Sequence, residues 1–352
     1  MLPETRRGRA LLNRLWRRGT AFLGTDLALM GGAMTWVSER HLVAAISNAG
    51  GFGVLACGAM EPDQLAAEIQ ATRSLTTAPF GVNLIIMHPS LEALIEVCLD
   101  YRIGHVVLAG GLPAGALIQK IRGGGAKAIG FAPSLGIARR LTRQGIDALI
   151  IEGTEAGGHI GPVATGVLAQ EILPSIRDVP VFVAGGIGHG EAIAAYLRMG
   201  AAGCQMGTRF VCAEESIAHP AFKAAFIRAQ ARDAVPSVQI DPEFKVIPVR
   251  ALQNRATQDF MRTQREVIGR FRAGELSHED ASLAIERYWA GALRRAVIEG
   301  DVEGGSLMAG QSVGFVREVE PVDKILTDLV EEAAAALERD SIEAPAMSSE
   351  GS

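Results

Sequence analysis

From Leu27 onward, short apolar runs rich in Val, Ile and Leu alternate with longer amphipathic stretches, and the alternation repeats about eight times. Few folds accept that pattern. A short apolar run between turn residues reads as a strand buried on both faces, and an amphipathic stretch between two such runs reads as the crossover helix that parallel pairing requires. The candidate strands are Leu27–Met30, Gly53–Cys57, Phe80–Ile86, His105–Leu108, Ala126–Ala132, Ala148–Glu152, Val181–Ala184 and Cys204–Gly207. Eight parallel strands are the number that closes a (β/α)8 barrel of the TIM type.

The intervening stretches carry helical spacing: Glu39–Asn48, Pro62–Arg73, Leu91–Tyr101, Pro113–Arg122, Leu135–Gln144, Val167–Ile176 and Glu191–Met199. Pro62, Ser90 and Pro113 stand where helices begin, and Gly50, Gly104, Gly123, Gly145 and Gly200 where they end. With 48% apolar and 21% charged residues there is material for one large core. The expected organisation is a barrel over 25–215, a helical lid inserted after strand 8 over 216–300, a barrel-closing segment over 301–340 and a tail over 341–352 too poor in apolar residues to order.

Residues 1–24 place Arg6, Arg7, Arg17 and Arg18 around Leu11, Leu12, Leu15 and Trp16, without the uninterrupted apolar stretch of a secretory signal. They read as a solvated basic extension, with an interfacial helix as the alternative. No apolar run reaches the ~18 residues of a spanning helix, so no stable membrane insertion is expected, and the location expected is cytoplasmic. The net charge of -5 argues against a nucleic-acid surface and for small-molecule partners. Cys57, Cys98, Cys204 and Cys212 are isolated and lack metal-ligand spacing, so they read as reduced core thiols with no metal site.

A barrel of this kind works through the loops that follow its strands, and four of these loops are unusual. After the sixth strand, Glu152 to Gly161 holds four glycines and His159. Glycines let a flat ligand approach the backbone, and an imidazole titrates near neutrality. A single histidine is ordinarily structural, but one next to Gly157-Gly158 at a catalytic face reads as functional. After the seventh and eighth strands, Ala184-Gly185-Gly186-Ile187-Gly188 and Gln205-Met206-Gly207-Thr208-Arg209 fall where barrels bind phosphate; glycines alone could also mean tight turns. Asn83 adds an amide able to bond a heterocycle edge. After the first strand, Gly31-Gly32-Ala33-Met34-Thr35-Trp36 offers a flat apolar floor for a ring system, and reads equally well as core packing. The remaining histidines, His41, His88, His105, His189, His219 and His278, are expected on the surface or packed in loops.

At these loops the sequence resembles the nitronate monooxygenase and flavin-type enoyl-ACP reductase superfamily. The matching residues are Ala45 to Gly53, Gly81-Val82-Asn83, Glu155-Ala156-Gly157-Gly158-His159, Ala184 to Ile187, Gln205 to Phe210, Glu215-Ser216 and His219-Pro220. The resemblance implies FMN held by Asn83, Glu152, Gly157 and Gly186 together with Gln205, Met206, Gly207 and Thr208. Its phosphate would lie near Gly185-Gly186 and Gly207-Thr208, with Met34 and Gly158 close by and His159 as the active-site histidine. Met34 to Val37, Glu152 and the run from Gly300 to Gln311 look like the enoyl reductase branch, whereas Gly32-Ala33 before Met34 and the N-terminal extension depart from it. That branch implies NADPH or NADH as donor, hydride passing through flavin N5 to a 2-enoyl thioester on a small molecule or an acyl carrier, and leaves a homodimer open. The alternatives are nitronate oxidation with O2 and, further off, a barrel that binds a phosphate ligand without redox work.

Overall fold

The computed structural model describes residues 4–241, 243–244 and 248–343. Eight parallel strands form its centre: β1 (Leu29–Gly31), β2 (Gly53–Ala56), β3 (Phe80–Ile85), β4 (His105–Ala109), β5 (Lys127–Phe131), β6 (Ala148–Glu152) and, beyond a two-residue strand β7 (Gly158–His159), β8 (Val181–Ala184) and β9 (Gly203–Met206). They pair in the order β1-β9-β8-β6-β5-β4-β3-β2. The ends meet: Gly31 N–H donates to Phe52 O and Phe52 N–H donates to Leu29 O, each at 2.9 Å. The expected (β/α)8 barrel is therefore present.

Inside and outside alternate along each strand with the period of two that a pleat imposes. Met30, Val54, Val107, Ile129, Ile150 and Phe182 fill the interior. Leu29, Leu55, Val106, Leu149, Val181 and Val183 face outward into a larger core shared with the helices.

The chain opens with α1 (Glu4–Leu15) and α2 (Arg17–Leu23), and α3 (Arg40–Asn48), α4 (Pro62–Leu75), α5 (Leu91–Asp100), α6 (Gly115–Gly123), α7 (Leu135–Arg143), α8 (Thr165–Ile172) and α9 (Gly190–Arg198) link the strands. A four-residue α10 (Thr208–Val211) and α11 (Pro220–Arg228) follow β9, and α12 (Arg255–Arg272), α13 (His278–Val297) and α14 (Val322–Glu343) complete the helices. All four cysteines are buried and unpaired, and burial pushes the Cys204 thiol up to about 12, so it stays protonated.

Four expectations change. Residues 4–24 are no solvated extension. Leu12 and Trp16 are buried in the main core, and Gly8 lies so close to α14 that a Cβ there would stand 2.1 Å from Ala334 O. Burial of a side chain like Leu12 contributes about 1.5–3 kcal/mol. α2 then closes the lower end of the barrel, where Leu23 and Phe22 pack into the interior cluster.

His105 is likewise no surface residue. It is buried at this floor, its Nε2 lies 2.9 Å from Phe22 O, and its ring meets Phe22 and Phe52 edge-on. Burial holds its pKa down to about 4.

The segment 216–300 is not purely helical. α11 sends Phe222 and Phe226 into the main core, while β10 (Ala234–Pro236) and β11 (Val249–Leu252) form a three-stranded sheet in the order β10-β11-β7. One face of that sheet and helices α12 and α13 enclose a separate small core around Phe244, Val249, Phe260 and Ile285. Residues 341–343, expected in the tail, belong to α14, which runs to Glu343. Residues 344–352 lie outside the described residues.

Candidate active site

Three polar side chains enter the upper end of an otherwise apolar barrel. Residues paired across parallel strands point to the same side. Glu152 pairs with Ala184, which pairs with Gln205, and Gln205 pairs with Met30. Ala184 and Met30 belong to the interior, so Glu152 and Gln205 point inward as well. Asn83 pairs with the interior Val107 and donates through Nδ2 to Val107 O at 3.2 Å. Among the described residues, neither the Glu152 carboxyl nor the Gln205 amide has a hydrogen-bond partner. Glu152 is partly covered by its own chain, and this loss of solvent pushes its carboxyl up to about 7. Groups of this kind left open at a barrel mouth are groups for a ligand.

The loop after β6 forms one wall. Glu155 turns inward and caps α8: its carboxylate accepts from Thr165 N–H (2.9 Å) and from the Thr165 hydroxyl (2.9 Å). A Cβ on Gly157 would stand 2.6 Å from Gly310 N, so the loop lies flat against the segment 309–311. Gln311 N–H donates to Glu155 O at 2.9 Å across the same contact. Gly158 follows with φ +78°, a backbone that side chains disfavour, and brings the chain into β7. His159 then pairs with Val249 of β11, and Ile160 N–H donates to Pro248 O at 2.9 Å. The exposed imidazole is thus carried on a strand hydrogen-bonded to the lid.

Opposite lie the loops after β8 and β9. Gly185 and Gly186 have φ +94° and +73° and pack on the first loop; a Cβ on Gly186 would stand 3.0 Å from Glu155 Cβ. Thr208 opens α10, and its hydroxyl accepts from Gly310 N–H at 3.0 Å. Met34 lies beside these residues, with its Sδ 3.3 Å from where a Cβ of Gly207 would stand, and Gly32 N–H donates to Met206 O at 2.7 Å. Trp36 does not extend a floor beneath the site: at φ +69°, a left-handed backbone rare for a bulky residue, its ring meets Arg294 of α13 at 5.8 Å.

The family model for nitronate monooxygenase matches residues 17–94 and 90–332. The chain belongs to the nitronate monooxygenase family. It is therefore an FMN-dependent oxidoreductase. Within that family it is 31% identical to the (3aS,4S,5R,7aS)-5-hydroxy-7a-methyl-1-oxo-octahydro-1H-indene-4-carboxyl-CoA dehydrogenase of Mycobacterium tuberculosis, over 91% of this chain and 96% of the relative. Its structure is similar to FabK from Thermotoga maritima (TM-score 0.82, 36% identity, 92% and 98% of the two chains). A nitroalkane oxidase from Streptomyces ansochromogenes is also similar (TM-score 0.76, 27% identity, 92% and 99%).

For a family member the geometry fits a flavin. Two open polar side chains face the mouth, and the backbone at Gly185 and Gly186 is of a kind that favours glycine. Among the described residues no group of three or more His, Cys, Asp or Glu could hold a metal, and no helix is long and apolar enough to cross a membrane.

Sequence reasoning missed two residues that organise the site. Glu155 stands in the sequence only as part of a motif, and its capping of α8 from ten residues upstream is set by the fold of the loop. Arg250 was passed over; its signal is a cation inside the short apolar run 249–252.

Proposed function

We propose that this family member transfers hydride between a nicotinamide and the carbon–carbon bond beside an acyl thioester carbonyl, in the direction that reduces a 2-enoyl thioester. The observation that carries this reading is the lid. A unit with its own core is strand-paired to His159, and a substrate of only a few heavy atoms would need no such roof. The similarity to a carboxyl-CoA dehydrogenase over nearly the whole chain supports a thioester in the site.

FMN, when bound, supplies the chemistry of hydride carriage between the two substrates. On this reading Asn83, Glu152 and Gln205 would hydrogen-bond its ring edges, Met34 would lie beside it, and Gly157 and Gly158 would let it approach the backbone. Gly185, Gly186, Gly207 and Thr208, with Met206 behind them, supply backbone N–H groups for its phosphate. In the net reaction a hydride from NADH or NADPH reaches the β-carbon and a proton reaches the α-carbon. His159 holds that proton on its imidazole and delivers it.

The experiment is anaerobic mixing of the yellow protein with NADH or NADPH, then with a short 2-enoyl thioester. Bleaching followed by return of colour on the thioester supports the reading. Bleaching by a saturated acyl thioester without nucleotide would reverse the direction. A second reading, oxidation of alkyl nitronates with O2, is favoured by the family model and the nitroalkane oxidase likeness. It takes over if neither nucleotide bleaches the protein and nitronates are oxidised faster than by free flavin.

A further inference from the structure

Arg250 is buried in β11, directly opposite Gly158. Opposed residues in an antiparallel pair project to the same face, and Gly158 has no side chain to occupy that face. A Cβ there would meet only Met308 Sδ, at 3.6 Å, and the guanidinium reaches to either side. Its Nε–H donates to Thr154 O at 2.8 Å and its Nη1–H to Ala234 O at 2.5 Å. One cation therefore ties β10 and its own strand to the residue that starts the loop ending at His159.

The far end of the loop is already held to the lid by the β7–β11 ladder, so Arg250 adds a second tie to the lid beside the loop's bonds to Val163 O and Gln311 N–H. Its charge is balanced by Glu155, the carboxylate that caps α8 below the same loop, which offsets part of the effect of burial on the guanidinium.

We propose that Arg250 is a positioning residue for His159, fixing the 154–159 loop to the lid so that the imidazole holds one place over the barrel mouth. The proposal rests on the role given to His159 above.

The test compares Arg250→Met and Arg250→Lys in the full chain. In flavin-free protein, amide exchange over 154–160 rises about tenfold in Arg250→Met, the scale of one lost buried hydrogen bond to a charged donor. Exchange in the β3–β6 strands is unchanged. In the flavin-loaded enzyme kcat falls on the order of 10²-fold, as for a displaced reacting group, while KM for nucleotide and thioester holds. Arg250→Lys, a single donor point on a flexible stem, recovers part of both effects.

In a His159→Ala background Arg250→Met costs no further kcat, because the two residues act as one unit. Unchanged exchange over 154–160, or a full kcat loss in that background, overturns the proposal. If His159→Ala itself leaves turnover intact, the function reading fails, and the exchange result still decides whether Arg250 holds the loop.

Discussion

The two ends of the barrel treat a buried titratable group in opposite ways. At the floor, His105 is enclosed by Phe22 and Phe52 and paired with Phe22 O, and it stays neutral down to about pH 4. At the mouth, Glu152 points into the same interior with no partner, and its carboxyl is pushed up to about 7. At the floor His105 Nε2 is paired with the chain's own carbonyl, whereas at the mouth the Glu152 carboxyl and the Gln205 amide are left open. Such a division follows from a fold whose lower end is free to be optimised for stability while its upper loops carry the ligand.

That division can be broken by substitution, and the largest effects should be the least shared between the two ends. His159→Ala at the mouth should lower turnover about 10²–10⁴-fold with flavin still bound and the melting temperature unchanged; intact turnover would remove the imidazole from the chemistry. Leu23→Ala at the floor should cost about 2–5 kcal/mol of stability, read by denaturant unfolding, and leave flavin affinity unaltered. A flavin-binding defect in that variant would show that the ends are coupled.

The pH dependences are smaller and opposite in sign. The raised Glu152 carboxyl binds its proton more tightly in the folded state than an ordinary carboxyl of pKa 4.5, so flavin-free protein loses stability as pH rises from about 4.5 to about 7. Glu152→Gln should flatten that decline in a series of thermal melts. The depressed His105 binds its proton less tightly folded than unfolded, so stability is lost as pH falls from 6.5 towards about 4. His105→Gln should reduce this loss, and an unaltered acid limb would assign it to other groups.

The barrel was legible because its signal is local. Each strand is a few β-branched residues and each helix has its own start and stop, so Ala148–Glu152 and Val181–Ala184 come out at the residues expected, while β1 moves by only a residue or two to Leu29–Gly31. Residues 4–24 were misread because four conspicuous arginines outweighed a quieter pattern. Leu12, Trp16, Gly19 and Leu23 recur at helical spacing and form the buried stripe. Their partners are far away in sequence, and a glycine notch such as Gly8 means nothing until Ala334 is known to lie against it.

The candidate site divides the same way. His159, Glu152 and the glycine pairs stand in compact motifs at strand ends, where the barrel rule says to look. The inward direction of Glu152 and Gln205 follows from strand register, which no motif encodes. A cation inside the apolar run 249–252 marks Arg250 as unusual, but its tie to Thr154 and the Ala309-Gly310 wall depend on contacts between segments more than fifty residues apart.

The seating of α1 against α14 also bears on how the chain is made. α1 precedes the whole barrel and α14 follows it, so the apolar stripe through Leu12 and Trp16 has no cover from α14 while the barrel between them is being synthesised. Long-range contacts of this sort form late. The nascent barrel therefore carries an unsealed flank until α14 emerges, and that interval is when a chaperone would have something to hold.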